Sequence, residues 1–156
     1  MLPKTRPALF TALGPRLMRW YSRTNVALYR ATGGRVGGHE LGKPVCLLTT
    51  TGRKTGLART NALVYLADGD RVLLVPAQGG LPTHPMWLLN LRADPRVQVQ
   101  IGPEVRAMRA READDAERAE LWPRVTALNP RWARFQSWTD RVIPVVICEP
   151  VPTARE

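Results

Sequence analysis

The feature that most restricts the fold is a succession of short strand-like stretches separated by turn residues rather than by helices. Three fall early, at Val45 to Thr51, Ala58 to Ala67 and Arg71 to Val75, and two hairpins join them. The second hairpin is set by Asp68-Gly69-Asp70, because Asp-Gly readily adopts the positive φ angles of a tight turn. Two more stretches follow, Val97 to Ile101 and Glu104 to Ala110 or slightly beyond, with Gly102-Pro103 between them. Val97, Val99 and Ile101 alternate with Gln98 and Gln100, which predicts one buried and one wet face. A last strand is expected from Arg141 to Glu149. Without a regular βαβ alternation, six short strands predict an antiparallel α+β barrel, not a doubly wound sheet.

Helical spacing marks the rest. From Pro15 to Ala31, Leu17, Tyr21, Thr24 and Leu28 share one side at intervals of three to four residues, with Trp20 beside them. Arg16, Arg19, Arg23 and Arg30 form a stripe that the periodicity places opposite. Gly33-Gly34 and Gly37-Gly38 then suggest a flexible connection, dividing the chain into a basic N-terminal helix and linker (1–38) and a core domain (39–156). After a loop from Pro76 to Thr83, a short helix is expected, with Thr83 as cap and Pro85 in its first turn, ending at Asp94-Pro95. Further helices are expected from Asp114 to Leu128, bent at Pro123, and from Arg131 to Trp138.

At 156 residues the chain can bury most of its apolar surface without metals or disulfides. Cys46 and Cys148 sit in apolar strand-like runs and read as buried free thiols. The formal charge of +10 is concentrated: residues 1–39 hold seven cations and no acid, against sixteen cations and thirteen acids in the remainder. No run is long and apolar enough to span a bilayer. Leu9-Phe10-Thr11-Ala12-Leu13 stops at Gly14-Pro15-Arg16, so no secretory leader is read there. The expected location is cytoplasmic, with the basic helix able to attach to the anionic inner face of the plasma membrane. His39 and His84 are far apart and the cysteines are not in a paired motif, so no metal site is expected. The two serines, Ser22 and Ser137, form no hydrolase motif.

Two segments carry the chemistry. Gly52-Arg53-Lys54-Thr55-Gly56 lacks the glycine before lysine and the following helix that a nucleotide-binding Walker loop needs. With Arg59 just beyond, it remains a credible cradle for a phosphate or carboxylate, although a solvated basic hairpin has the same composition. The second segment runs from Val75 through Gly79-Gly80 to Met86-Trp87-Leu88-Leu89-Asn90. Paired glycines let backbone approach a flat ligand, and Trp87 can stack on it or anchor a helix in the core.

Together, from roughly Tyr29 to Pro150, these segments resemble the deazaflavin-dependent nitroreductase family. The resemblance implies a split β-barrel that binds the 8-hydroxy-5-deazaflavin coenzyme F-420. It also implies hydride transfer from C5 of the reduced coenzyme to a quinone, nitro compound or activated alkene. Carried over by position, Arg53, Lys54, Thr55, Gly56 and Arg59 are expected on the coenzyme's phosphate and acidic tail. Val75, Pro76, Ala77, Gln78, Gly79, Met86, Trp87 and Asn90 are expected around its ring, and Trp132, Phe135 and Ala77 beside the acceptor. The chain departs from the family where Trp132, Phe135 and Ala77 replace hydroxyl-bearing residues and where Gln78 replaces a lysine. A nitro acceptor is correspondingly less expected than a quinone.

Two alternatives stay open at this level. One is a split-barrel oxidoreductase using FMN, held by its phosphate. The other is a non-catalytic basic module on a membrane or nucleic acid, although no nucleic-acid motif is present and the core beyond residue 39 is only mildly basic.

Overall fold

The computed structural model describes residues 15–152, with side chains from Trp20 onward. The strands are β1 (His39–Glu40), β2 (Lys43–Thr51), β3 (Ala58–Val64), β4 (Leu66–Asp68), β5 (Arg71–Leu74), β6 (Arg96–Ile101), β7 (Glu104–Glu112) and β8 (Val146–Pro150). The helices are α1 (Pro15–Thr32), α2 (Met86–Ala93), α3 (Asp115–Leu128) and α4 (Arg131–Ser137), with a 3-10 turn at Gln78–Gly80.

Every pairing is antiparallel, in the order β1-β2-β6-β7-β8-β5-β4, and β3 lies on the other edge of β2. The expected strand from Ala58 to Ala67 is therefore two strands. Its first half pairs with β2, from Val64 opposite Val45 to Ala58 opposite Thr51. After Tyr65 its second half pairs with β5, Leu66 facing Leu73. One continuous segment thus serves both ends of the sheet and curls it into a split β-barrel. The two tight turns form as expected, Asp68 pairing with Arg71 across Gly69-Asp70 and Ile101 with Glu104 across Gly102-Pro103.

Strand alternation sorts the apolar side chains into three groups. Cys46, Leu48, Val72, Leu74, Val97, Val99, Met108, Val146 and Cys148 point into the barrel, where Trp87, Leu88 and Leu91 of α2 plug it. On the outer face of β5 and β8, Leu73 and Ile147 meet Leu121 and Val125 of α3 and Trp132 of α4. On the outer face of β2, Val45 and Leu47 are covered by Val26 and Tyr29 of α1. Strand β2 is thus buried on both faces, and α1 is the element that buries its outer one.

That arrangement corrects the orientation read from the helix. The packed side carries Val26 and Tyr29, whereas Tyr21 is 60% and Leu28 43% exposed. The side chains of Arg16, Leu17 and Arg19 lie outside the described residues. Tyr29 is 1% exposed, and its hydroxyl donates to the Val45 carbonyl at 3.0 Å and accepts from Gly102 N–H at 2.8 Å. Nor do the glycines after α1 form a loose connection: a Cβ at Gly38 would lie 2.0 Å from the Gly34 carbonyl oxygen, so the bend is tightly packed.

Two boundaries also move. Strand β8 begins at Val146, five residues after the expected start at Arg141. Pro144 has no N–H to give a ladder, and the approach is held instead by Arg118 donating to the Ile143 carbonyl and by Ile143 N–H donating to Gln136 Oε1. Helix α2 starts at Met86 with Pro85 as its N-cap residue and no side-chain cap. The Thr83 hydroxyl accepts from Gln78 Nε2 at 3.3 Å rather than capping the helix.

Among the described residues no helix is long and apolar enough to cross a membrane, and no cluster of three or more His, Cys, Asp or Glu could hold a metal.

Candidate functional site

The β2–β3 loop, residues 52–57, is shaped by its own hydrogen bonds. Gly52 N–H donates to the Leu57 carbonyl at 2.7 Å, Gly56 N–H to the Gly52 carbonyl at 2.8 Å, and Leu57 N–H to Thr55 Oγ1 at 3.3 Å. Arg53 N–H donates to Asn90 Oδ1 of α2 at 3.2 Å. These bonds use the N–H groups of Gly52, Arg53, Gly56 and Leu57 and leave the side chains of Arg53 and Lys54 exposed at the surface of the loop.

Those side chains open onto a cleft of about 870 Å³. Its lining includes Arg53, Lys54, Thr55 and Arg59, Met86, Trp87 and Asn90 of α2, and Arg23, Val26 and Arg30 of α1. Arg30 Nη2 donates to Thr60 Oγ1 at 2.9 Å, and Thr60 in turn shares a hydrogen bond with Thr49 Oγ1 at 2.8 Å. Gly56 faces a separate, smaller depression beside Thr50, Asp94 and Arg96.

No carboxylate lines the cleft. Elsewhere seven arginines are matched with acids: Arg71 and Arg124 with Asp68, Arg92 with Glu112, Arg96 with Asp94, Arg106 with Glu104, Arg111 with Glu117 and Glu149, and Arg131 with Glu40. Among the described residues, none of the five cleft cations has such a partner. A concave surface carrying five unmatched cations and an apolar wall suits a ligand with an anionic end and a flat apolar end.

The remaining sequence-predicted residues assemble elsewhere. Val75, Ala77, Trp132 and Phe135 share the cluster between β5, β8, α3 and α4. Trp132 is 6% exposed, so in this chain it is a core side chain and not an open wall, while Phe135 stays half-buried with its ring 5.6 Å from that of Trp138. The Pro76–Gly80 turn follows β5 and packs against α4. Gln78 holds a left-handed backbone at φ 45°, unusual for a residue with a side chain. Its side-chain Oε1 is buried without a partner. Gly80, at φ 73°, touches α4 so closely that a Cβ would fall 2.8 Å from the Phe135 carbonyl oxygen.

Arg141, which the sequence reading passed over, holds this turn. Its Nη2 donates to the carbonyls of Pro76 at 3.1 Å and Ala77 at 2.8 Å, and its Nε to that of Leu81 at 2.9 Å. Burial lowers its pKa from the ordinary guanidinium value. Its Nη1 lies 3.2 Å from His84 Nδ1. A guanidinium only donates, so Nδ1 accepts and the imidazole proton sits on Nε2. Burial, then the charges of Arg141 and Arg92, push the His84 pKa below its ordinary value. The signal in the sequence was a lone arginine heading the apolar run Val142 to Val146.

Residues 20–150 match the family model described as F420H(2)-dependent quinone reductase. The chain belongs to that family. Among its relatives, the F420H(2)-dependent quinone reductase Rv1261c of Mycobacterium tuberculosis is 40% identical over 139 residues, covering 86% of this chain and 91% of that protein. A solved F420-H2 dependent reductase, FDR-A, is 39% identical with a TM-score of 0.64, covering 71% of this chain and 98% of that one. A further structure, described as a domain-swapped dimer, is 34% identical with a TM-score of 0.66 and covers 85% and 98% of the two chains. Membership of the F420H(2)-dependent quinone reductase family identifies the chain as an oxidoreductase whose cofactor is coenzyme F420. The cationic cleft has the donor chemistry that such a coenzyme's phosphate and acidic tail require.

Proposed function

We propose that this protein reduces a quinone with reduced coenzyme F420. The observation that carries the reading is the cleft where unmatched cations of the β2–β3 loop adjoin Met86 and Trp87 of α2. Arg53, Lys54, Thr55 and Arg59 hold the phosphate and tail, while Gly56, which faces the smaller depression, serves only the turn of the loop. Met86, Trp87 and Asn90, with the turn from Val75 through Pro76, Ala77 and Gln78 to Gly79, border the ring. When bound, the coenzyme supplies a hydride from C5.

The chain's own contribution is placement. Asn90 and Arg141 fix the two loops that flank the ring, and the apolar side chains around Trp87 keep water from it. Because His84 is neutral and its Nδ1 is occupied, no side chain at the turn is poised as a strong acid, and the proton that accompanies the hydride comes from solvent. Phe135, half-buried and without a hydroxyl, favours an apolar, ring-shaped acceptor.

Quinones dissolve in membranes, and the outward side of α1 carries Trp20, 65% exposed, with Tyr21 and Leu28. We further propose that this stripe touches the bilayer, so that contact is made by the apolar side of the helix and not by its arginines. Replacing the three by serine should abolish co-sedimentation with anionic vesicles while coenzyme binding persists. Unchanged sedimentation would dismiss the membrane role alone.

The decisive experiment titrates the protein with oxidised F420 and with FMN, then supplies reduced F420 and a short-chain naphthoquinone. Tight binding of F420 alone, followed by quinone-dependent reoxidation, is expected. Preference for FMN, or no reoxidation, would overturn the proposal.

A further inference from the structure

The cleft contains more cation than a phosphate requires, and the surplus comes from α1. Arg23 and Arg30 are seven residues apart, two turns of helix, so they project from the same flank with about 10.5 Å of axial separation. Arg30 is held against Thr60 on β3, which places the two guanidiniums at separate points along the cleft. The same cleft is lined by Arg53, Lys54 and Arg59. Cations contributed by both the helix and the β2–β3 region, with no carboxylate in the lining, match a ligand whose negative charges are distributed along a chain.

We infer that Arg23 and Arg30 of α1 form a second anion-binding wall for the carboxylates of the coenzyme's tail. They make the enzyme select a multiply charged tail over a flavin carrying one phosphate. The inference rests on the proposed use of F420, and it gives α1 a role in cofactor choice beyond covering Val45 and Leu47. The β2–β3 loop alone can grip a phosphate, and either cofactor offers one there. Only a ligand that continues past the loop reaches the helix. Affinity should therefore rise with the number of tail carboxylates, and the rise should depend on the helix arginines.

The test measures equilibrium binding, by coenzyme fluorescence, of F420 preparations with short and long glutamate tails. The proteins compared are wild type, Arg23→Gln/Arg30→Gln, Arg23→Lys/Arg30→Lys, and Arg35→Gln/Arg109→Gln, the last removing equal charge outside the cleft. Wild type should bind the long tail more tightly than the short one. The first variant should lose about tenfold or more on the long tail and little on the short one, flattening the dependence. The lysine variant should restore most of it, and the control should behave like wild type. An unchanged dependence on tail length in the first variant, or an equal loss in the control, would overturn the role of α1 while leaving the cofactor assignment in place. Failure of wild type to bind F420 of either tail length would remove both.

Discussion

Asn90 Oδ1 accepts the backbone N–H of Arg53 at 3.2 Å, while its Nδ2 donates to Thr50 Oγ1 at the same distance. One buried amide thereby fastens the cationic loop to the helix that plugs the barrel. It sets the spacing between the anion grip and Trp87.

Replacing Asn90 by leucine keeps the branched shape of the side chain but leaves the Arg53 N–H and the Thr50 hydroxyl without this partner. A cost of about 1 to 3 kcal/mol is expected for each buried group left unsatisfied. Thermal unfolding should shift downward, and coenzyme affinity should fall by at least about tenfold. An unaltered titration curve for F420 would show that the loop holds its shape unaided.

Arg53 and Lys54 are both exposed, so their loss should leave the fold intact. Each charge-assisted hydrogen bond contributes about 1.5 to 3 kcal/mol. Arg53→Gln/Lys54→Gln should therefore weaken F420 binding by about a hundredfold or more at low salt, with an unshifted melting temperature. Since both charges face solvent, raising the ionic strength should shrink the difference.

The His84–Arg141 contact predicts a pH dependence with a definite sign. The folded-state pKa of His84 is lowered, by burial first and then by Arg141 and Arg92, with Glu112 opposing. The unfolded chain therefore takes up a proton near the ordinary value of about 6.5, where the folded chain does not. The stability this group confers is complete above that pH and declines as pH falls towards the lower folded value. Melting temperatures between pH 7.5 and 5 should show the decline in wild type and a smaller one in His84→Asn. Arg141→Met should also reduce it, and should raise KM for the coenzyme by loosening the turn from Pro76 to Leu81.

Cys46 and Cys148 are fully buried, and burial raises both thiols, Cys148 to about 12 and Cys46 further. A thiol-specific reagent at pH 8 should find neither until the protein unfolds, then both. Rapid labelling of the native protein would contradict the packing of β2 and β8.

The local signals were legible where one element decided its own structure. Gly69-Asp70 and Gly102-Pro103 made the turns their sequences demand, the Val97–Ile101 alternation marked a half-buried strand, and the helix expected from Asp114 to Leu128 forms from Asp115 to Leu128. What escaped was decided by tertiary partners. Nothing local to Ala58–Ala67 reveals that the segment changes partner at Tyr65, because both halves are equally strand-like. The face of α1 that packs is not decided by its own residues, because Tyr21 and Leu28 on one side and Val26 and Tyr29 on the other are equally apolar pairs, and contact with Val45 and Leu47 of β2 selects the second. The arginine stripe was visible, but its direction depended on where the cleft lay. The sequence named Arg53, Lys54, Arg59, Trp87 and Asn90 together, and the fold gathers them. It did not foresee that Trp132 would be enclosed by Val125 and Ile143.

The handover at Tyr65, whose N–H donates to the Pro44 carbonyl at 3.1 Å, has a cost for the molecule's robustness. The seam of the barrel is closed by covalent chain rather than by a ladder of its own. A lesion between Val64 and Leu66 would leave β3 on β2 and β4 on β5 but sever the one link that holds those two ladders together at the seam.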